Sequence, residues 1–345
     1  MYLLRKIAYP FSLLYGLVTS FRNYLFHVGI LTSTQFKTPT IVVGNLSVGG
    51  TGKTPQIEYL IRLLQNDFRV AVLSRGYKRK TKGFIIAENN ITSEDIGDEP
   101  FQYYKKYPNI IVCVDADRTN GIQQLEALEN PPQVILLDDA FQHRKVKAGL
   151  NILLTSYNDL YVNDSMLPTG NLREYKSGAR RAQIIVVTKC PSNISIKEQQ
   201  FVIEKLQPTS NQEVFFTTIE YDTKLKGDSF INLDDYKNEE ILLVTGIANP
   251  TPLQKYLTTE KVKFQHLKYP DHHHFSSTDI KKIKQEFEKI KSNKKIVLTT
   301  EKDYVRIFAK LQNLRFISIQ TKFVANNTSF DKIIKNYVEQ SSRDR

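Results

Sequence analysis

The 345-residue chain has only two cysteines, Cys113 and Cys190, each in or beside an apolar run. That excludes a disulfide framework and points to a reducing compartment. No apolar run reaches the roughly 20 residues that span a bilayer. No internal repeat, low-complexity tract or recognisable nucleic-acid module is present, so nucleic acid is not an expected partner. Acidic residues are in deficit: 36 against 48 basic ones, a formal charge of +12. That excess suits acidic partners such as a nucleotide, an anionic lipid or a phosphorylated substrate, although a solvated lysine-rich surface would give the same balance. With 41% hydrophobic and 24% charged residues the chain is ordinarily globular, and its length favours two domains.

The amino terminus imitates a signal peptide without being one. Arg5-Lys6 precedes an apolar stretch from Ile7 to Thr19, but Pro10 interrupts it, no A-x-A cleavage pattern follows, and Arg22 arrives before Tyr24-Leu25-Phe26. An interfacial helix is expected, with Tyr2, Phe11, Tyr15, Phe21 and Phe26 at the headgroups and basic residues on anionic lipid. The alternative is a core helix packed on the domain.

From residue 38 onward, short apolar runs alternate with helical patterns, the signature of a doubly wound, mostly parallel α/β sheet. Strands are expected at 40–44, 69–74, 110–114, 134–138, 150–155 and 184–188. After a polar break near 206–240, a smaller α/β domain follows. Its expected strands are 241–245, 262–268, 295–299 and 315–320, with helices near 252–259, 279–291 and 330–339. Ile280, Ile283, Phe287 and Ile290 share one helical face, with Ser277 or Thr278 as the N-cap. The cleft between the two domains is the expected ligand site.

Directly after the first strand comes a phosphate-binding loop: Ser47, Val48, Gly49, Gly50, Thr51, Gly52, Lys53 and Thr54. Its backbone amides converge on phosphate oxygens, Lys53 supplies a point charge and Thr54 a Mg²⁺ ligand. Ser47 stands where the usual pattern has Gly. Pro55 opens a helix whose Ile57, Leu60, Ile61 and Leu64 form a buried face, which is the context such a loop requires. The run Val134–Leu137 ends in Asp138 and Asp139, placing two acids beside the loop, one of which would hold Mg²⁺. Ser74-Arg75-Gly76-Tyr77, the turn Gly97-Asp98-Glu99-Pro100 and Asp115-Ala116-Asp117-Arg118 follow at the same sheet edge. Arg75 and Arg118 are candidates to stabilise phosphate charge, and Asp98 to act as a general base. Three adjacent histidines, His272 to His274, cannot share one metal because side chains alternate sides, so one proton-handling histidine is the more economical reading. Thr188-Lys189-Cys190-Pro191 lacks the Asp that reads guanine, which favours ATP over GTP.

These segments together resemble the tetraacyldisaccharide 4′-kinases of lipid A biosynthesis. The similarity covers Val43–Pro55, Ser74–Tyr77, Gly97–Pro100, Asp138-Asp139-Ala140-Phe141-Gln142-His143 and Leu167–Glu174. It continues through Val244–Pro250, Pro270-Asp271-His272 and Thr299–Asp303. Ala140 is a departure, standing where Gly is common. The resemblance implies a P-loop NTPase-like α/β domain, a smaller α/β domain, and a two-stranded hairpin joining them. It also implies ATP- and Mg²⁺-dependent phosphorylation of the 4′-hydroxyl of a tetraacylated glucosamine disaccharide 1-phosphate, giving lipid IVA at the cytoplasmic face of the inner membrane. The expected division is a membrane-contacting helix region at 1–35, a kinase domain at 36–212, a hairpin at 213–237 and the smaller domain at 238–345, in a monomer. By position Asp98 matches the catalytic base and His272 its partner, with His273 as the other choice. Lys53 matches the phosphate ligand, Thr54 a metal ligand and Arg118 a charge-stabilising residue. Asp138, Asp139 and Glu174 match an acidic metal cluster, while Arg75, Tyr77, Asn171 and Arg173 are assigned to the substrate. A soluble P-loop kinase or GTPase-like protein with another small substrate is the competing reading.

Overall fold

A computed structural model describes residues 5, 7–227, 229–292, 294–307, 311, 313–325 and 328–343; Tyr2 and Lys6 lie outside the described residues. The chain divides into two compact units, Met1–Ile219 with Thr321–Arg345, and Glu220–Gln320.

In the first unit, α1 (Tyr9–His27) precedes β1 (Thr40–Asn45), α2 (Lys53–Leu64), β2 (Val70–Ser74), β3 (Ile85–Ile86), α3 (Ser93–Ile96) and α4 (Asp98–Lys106). There follow β4 (Ile111–Val114), α5 (Arg118–Glu126), β5 (Val134–Asp138), β6 (Leu150–Ser156), β7 (Ile184–Thr188), α6 (Ile196–Leu206) and β8 (Glu213–Tyr221). After the second unit the chain returns through β15 (Ile319–Phe323) and α10 (Thr328–Arg343). These strands form one nine-stranded sheet in the order β15-β8-β7-β6-β1-β5-β2-β4-β3. β1 pairs in parallel with β5 on one side and β6 on the other, so the loop after it opens at the carboxyl edge of the sheet's middle.

Both faces of the sheet are covered, which is why its strands read as unbroken apolar runs rather than alternating ones. Ile41 and Val43 enter one core with Ile57, Leu60, Ile61 and Leu64 of α2, while Val42 enters the opposite core with Leu73 and Leu137.

The second unit is built on β9 (Lys224–Gly227), β10 (Ile231–Asn232), β11 (Glu240–Thr245), α7 (Thr251–Thr259), β12 (Lys263–Lys268), α8 (Ser277–Lys289), β13 (Val297–Thr300), α9 (Glu301–Ile307) and β14 (Leu314–Ile317). Its six-stranded sheet runs β10-β9-β14-β13-β11-β12.

Three details differ from the sequence reading. The strand expected at 315–320 breaks at Ser318 and serves two sheets, β14 in the smaller and β15 in the larger. Within the expected hairpin segment 213–237, the strand at 213–221 pairs in parallel with β7 and the antiparallel pair is β9 with β10, so the hairpin takes up only the second part of the segment. Ser276, not Ser277 or Thr278, caps α8: its hydroxyl accepts the Asp279 N–H and the Asp279 carboxylate accepts the Ser276 N–H, a capping box.

The chain end also returns to the first unit instead of staying with 238–320. Phe330, Ile334 and Val338 are fully buried there. Phe330 lies 5.3 Å from the ring of Phe215 and 4.7 Å from that of Phe323. Phe330→Ala should therefore destabilise the first unit by about 3–5 kcal/mol, the cost of an aromatic-sized core cavity. Urea unfolding followed by fluorescence and by proteolysis of α10 checks it; a loss below about 1 kcal/mol would show that α10 is not part of that core.

Candidate active site

The phosphate loop is held from three directions. Gly49 and Gly52 have φ of 118° and 87°, conformations that turn the chain sharply between β1 and α2. Asn45 donates through Nδ2 to the Thr51 hydroxyl at 2.8 Å, and the Thr188 hydroxyl donates to the Thr51 carbonyl at 2.7 Å. On the far side Val48 N–H donates to the Asn171 carbonyl at 2.8 Å and Arg173 N–H to the Leu46 carbonyl at 2.7 Å. The Lys189 ammonium donates to the Gly50 carbonyl. The 12-residue α2 carries no acid in its first turn, leaving the positive end of its dipole for a phosphate.

Beside the loop, β5 delivers two acids into opposite electrostatic settings. Asp138 is buried and accepts from the Ser74 hydroxyl at 3.2 Å and the Tyr103 hydroxyl at 3.4 Å. Burial, reinforced by the charge of Asp139, pushes its pKa up to about 6. Asp139 turns the other way, at φ 49°. Burial again works against its ionisation, but Lys53 and Arg173 outweigh it and hold its pKa below the usual value. Arg173 grips Asp139 with both terminal nitrogens, at 2.8 and 3.2 Å, and Lys53 Nζ stands 3.7 Å from the same carboxylate.

Arg118 is buried behind this pair, at the start of α5. It donates to the carbonyls of Asp115 at 3.0 Å, Ala116 at 3.2 Å and Asp138 at 3.4 Å. Burial lowers its pKa to about 10, with Asp138 and Asp139 pulling upward, so it remains a cation at neutral pH. Arg75 acts on it as a like charge.

The Ser74–Tyr77 and Gly97–Pro100 segments also come together. A side chain at Gly97, whose φ is 93°, would lie 3.1 Å from the Tyr77 carbonyl, so only glycine lets the two backbones approach. Asp98 is not in a turn, as its sequence suggests, but is the first residue of α4. Arg75 and Tyr77 are exposed.

Three assigned residues are engaged elsewhere. Glu174 does not join the acid pair: its carboxylate takes two bonds from Arg181 at 2.9 Å each, plus one each from Gln142 and Asn23 at 3.0 Å. Among the described residues no three His, Cys, Asp or Glu side chains are grouped to hold a metal. Arg173, assigned to the substrate, is committed to Asp139 and Asn45. Asn171 meets the phosphate loop through its carbonyl, and its side chain accepts from Arg5 at 3.4 Å.

Three contributors were missed. Tyr103 is fully buried and shares hydrogen bonding with Thr54 and Asp138, linking the two candidate metal ligands. Glu99 adds negative charge to Asp138. Lys189 had been read only for what its motif lacks. Asp98-Glu99 followed by Lys105-Lys106 was the signal of the helix that places Tyr103, since acids open helices and bases close them.

In the second unit the histidines separate. The His273 ring stacks on Tyr269 at 4.7 Å, meets Phe275 edge-on at 4.9 Å and bonds Asp279 at 3.0 Å, so it is a packing residue. His272 instead contacts Lys302 at 3.1 Å and Arg306 at 3.0 Å through its two ring nitrogens.

The family model for LpxK, tetraacyldisaccharide-1-P 4′-kinase, matches residues 4–339. The chain belongs to that family. A tetraacyldisaccharide 4′-kinase of Flavobacterium johnsoniae is 55% identical over 99% of both chains, and one of Bacteroides thetaiotaomicron is 45% identical over 88% of this chain and 83% of its own. The crystal structure of LpxK from Aquifex aeolicus in complex with ATP is similar at TM-score 0.78 and 33% identity, covering 97% of this chain and 99% of that one. The family's P-loop NTPase-like α/β fold is thus the fold of this chain, and its members are ATP-using phosphotransferases.

Asp138 binds its proton more tightly folded than unfolded, so its ionisation costs stability as pH rises from 3.8 through about 6. Without nucleotide or divalent cation, Asp138→Asn should be more heat-stable than the wild type near pH 8 by up to about 3 kcal/mol. The advantage should vanish near about pH 4, where both side chains are neutral. Melting curves across that range check it; a difference independent of pH would refute the buried-charge account.

Proposed function

We propose that this chain transfers the γ-phosphoryl group of ATP to the 4′-hydroxyl of a tetraacylated glucosamine disaccharide 1-phosphate at the cytoplasmic face of the inner membrane, forming lipid IVA. The observation that carries the lipid part of this reading is that the unit holding the phosphate loop also bears a helix turned inside out. Along α1, Ser12, Gly16, Thr19 and Asn23 face the domain, while Phe11, Leu14, Leu17, Val18 and Phe21 are exposed, each by 60% or more. The Ser12 and Thr169 hydroxyls bond at 2.6 Å, and a side chain at Gly16 would strike the Tyr175 hydroxyl at 2.7 Å. Of the aromatics expected at the headgroups, Phe11 and Phe21 fit. Tyr15 donates to the Arg173 carbonyl at 3.1 Å and Phe26 lies under Arg144, so both serve the attachment of the helix. Among the described residues no helix is long and apolar enough to cross a membrane, and α1 fits an interfacial role beside a strongly basic chain.

In the reaction, Lys53 and the loop amides hold the β- and γ-phosphates in line for transfer. Asp98, with His272, accepts the proton of the sugar hydroxyl, and Arg118 offsets charge that develops on the transferring group. Arg75 and Tyr77, both exposed, contact the phosphorylated sugar. Thr54 and Asp138, with Asp139, offer the hard oxygen donors that suit Mg²⁺, and the raised pKa of Asp138 marks a buried carboxylate short of positive charge. Bound there, Mg²⁺ would neutralise phosphate charge. Glu174, saturated by Arg181, Gln142 and Asn23, is left out of that donor set. We assign no nucleic acid partner, and a monomer suffices.

Two experiments test the reading. Asp98→Ala should lower kcat by about 10²-fold or more for transfer to a monophosphorylated lipid disaccharide in mixed micelles, while ATP affinity changes little. Near-normal turnover would remove Asp98 as the base. Replacing Phe11, Leu14, Leu17 and Phe21 by serine, which spares every inward contact of α1, should cut binding to anionic vesicles at least tenfold, since each large apolar side chain contributes about 1.5–3 kcal/mol on burial. Unchanged partitioning would rule out α1 as the anchor.

A further inference from the structure

The Val244–Pro250, Pro270–His272 and Thr299–Asp303 segments, far apart in sequence, meet in one polar network inside the second unit. Asp303 is fully buried at the start of α9. Its Oδ2 accepts the Gly246 N–H at 2.9 Å and the Thr300 hydroxyl at 2.8 Å. Its Oδ1 accepts from Arg306 Nη1 at 3.2 Å. The Arg306 side chain is only 4% exposed, and its Nη2 lies 3.0 Å from Nδ1 of His272. The backbone of His272 is held in the same place: its φ is 59°, and its N–H reaches the Gly246 carbonyl at 3.2 Å and Asp271 Oδ1 at 3.0 Å.

A guanidinium has donors and no acceptor, and it does not give up its proton in a protein. The imidazole nitrogen facing it must therefore offer a lone pair. In a neutral ring the single proton then resides on the other nitrogen. Lys302 Nζ stands 3.1 Å from that Nε2, but it also lies 3.9 Å from Asp271 Oδ1. An ammonium has no lone pair for an Nε2–H, so Lys302 swings on its flexible four-carbon stem to Asp271 when Nε2 is protonated, whereas the flat Arg306 fork, pinned by Asp303, cannot turn away.

We infer that Arg306 is a positioning residue that fixes His272 in the Nε2–H tautomer, with Asp303 anchoring the guanidinium that does so. The consequence for catalysis rests on the proposed role of His272 as partner to the base. A ring locked this way presents one donor, Nε2–H, to a carboxylate, and keeps its second nitrogen out of the reaction.

The tautomer is read directly. The full-length chain, ¹⁵N-labelled at histidine, gives long-range ¹H–¹⁵N correlations that separate a protonated ring nitrogen from a bare one, and His272→Gln identifies the His272 signal. At about pH 8, where histidine is ordinarily neutral, the wild type should show protonated Nε2 and bare Nδ1. Arg306→Met should mix the two tautomers and lower kcat by about tenfold or more while KM for ATP stays within about twofold, and Arg306→Lys should restore part of both. Protonated Nδ1 in the wild type overturns the inference, as does an Arg306→Met spectrum with the tautomer unchanged. Should Arg306→Met not fold, the wild-type and Arg306→Lys spectra decide alone. Full activity in His272→Gln would instead refute the role of His272 in the reaction while leaving the tautomer assignment standing.

Discussion

Two carboxylates at the end of one buried strand, Asp138 and Asp139, impose a charge problem that the surroundings of the phosphate loop are arranged to meet. Carrying negative charge into a covered α/β sheet is costly unless cations accompany it. Lys53 comes from the loop, Arg173 from the segment laced to its far side, and Arg118 from behind. Each cation arrives on a different piece of chain, so balancing the acids also ties those pieces together. The compensation is unequal. Asp139 takes most of it, and Asp138 is left with hydroxyl donors and a raised pKa. Under the proposed reaction, the under-compensated carboxylate is the one that would suit a divalent cation.

The same logic explains why Arg173 lies where it does. With both terminal nitrogens on Asp139 it prevents that carboxylate from closing fully on Lys53, whose ammonium remains 3.7 Å away. Lys53 thus stands at the outer edge of ion-pair distance rather than in a tight pair. Glu174 follows Arg173 in sequence, but its charge is spent on Arg181, which in turn covers the ring of Phe141. Adjacent residues of one motif thus divide between the site and the scaffold beneath it.

The sheet was legible because burial on both faces leaves its strands as plain apolar runs, and the predicted 134–138 and 184–188 agree with β5 and β7 to the residue. The phosphate loop was legible for a related reason, since its glycines and Lys53 answer a local backbone demand. What the sequence concealed depends on partners distant in the chain. Nothing near Glu174 announces Asn23, 151 residues away, as a partner, and nothing near Tyr103 announces Asp138. α4 was hidden by Pro100, whose ring reads as a turn yet fits the first turn of a helix, where no intrahelical N–H bond is lost. Strand 315–320 was read as one element because Phe316, Ile317 and Ile319 carry an apolar signal across Ser318, and only the two sheets reveal the division there.

α1 inverts the rule that governs the rest of the fold. Elsewhere large apolar residues face inward and small or polar ones outward; here Ser12, Gly16 and Thr19 face the domain and Phe11, Leu14, Leu17 and Phe21 face away. Left in water, each outward side chain forgoes about 1.5–3 kcal/mol of burial. The inward face recovers little of that, because it docks through hydroxyls and a glycine rather than through apolar area. A chain folded only for its own stability would rotate this helix by half a turn. The small inward residues prevent that rotation, since Gly16 fits against Tyr175 and a larger residue would not. The orientation is therefore fixed by close approach, and under the interfacial role proposed for α1 its energetic return would come from an apolar phase outside the protein.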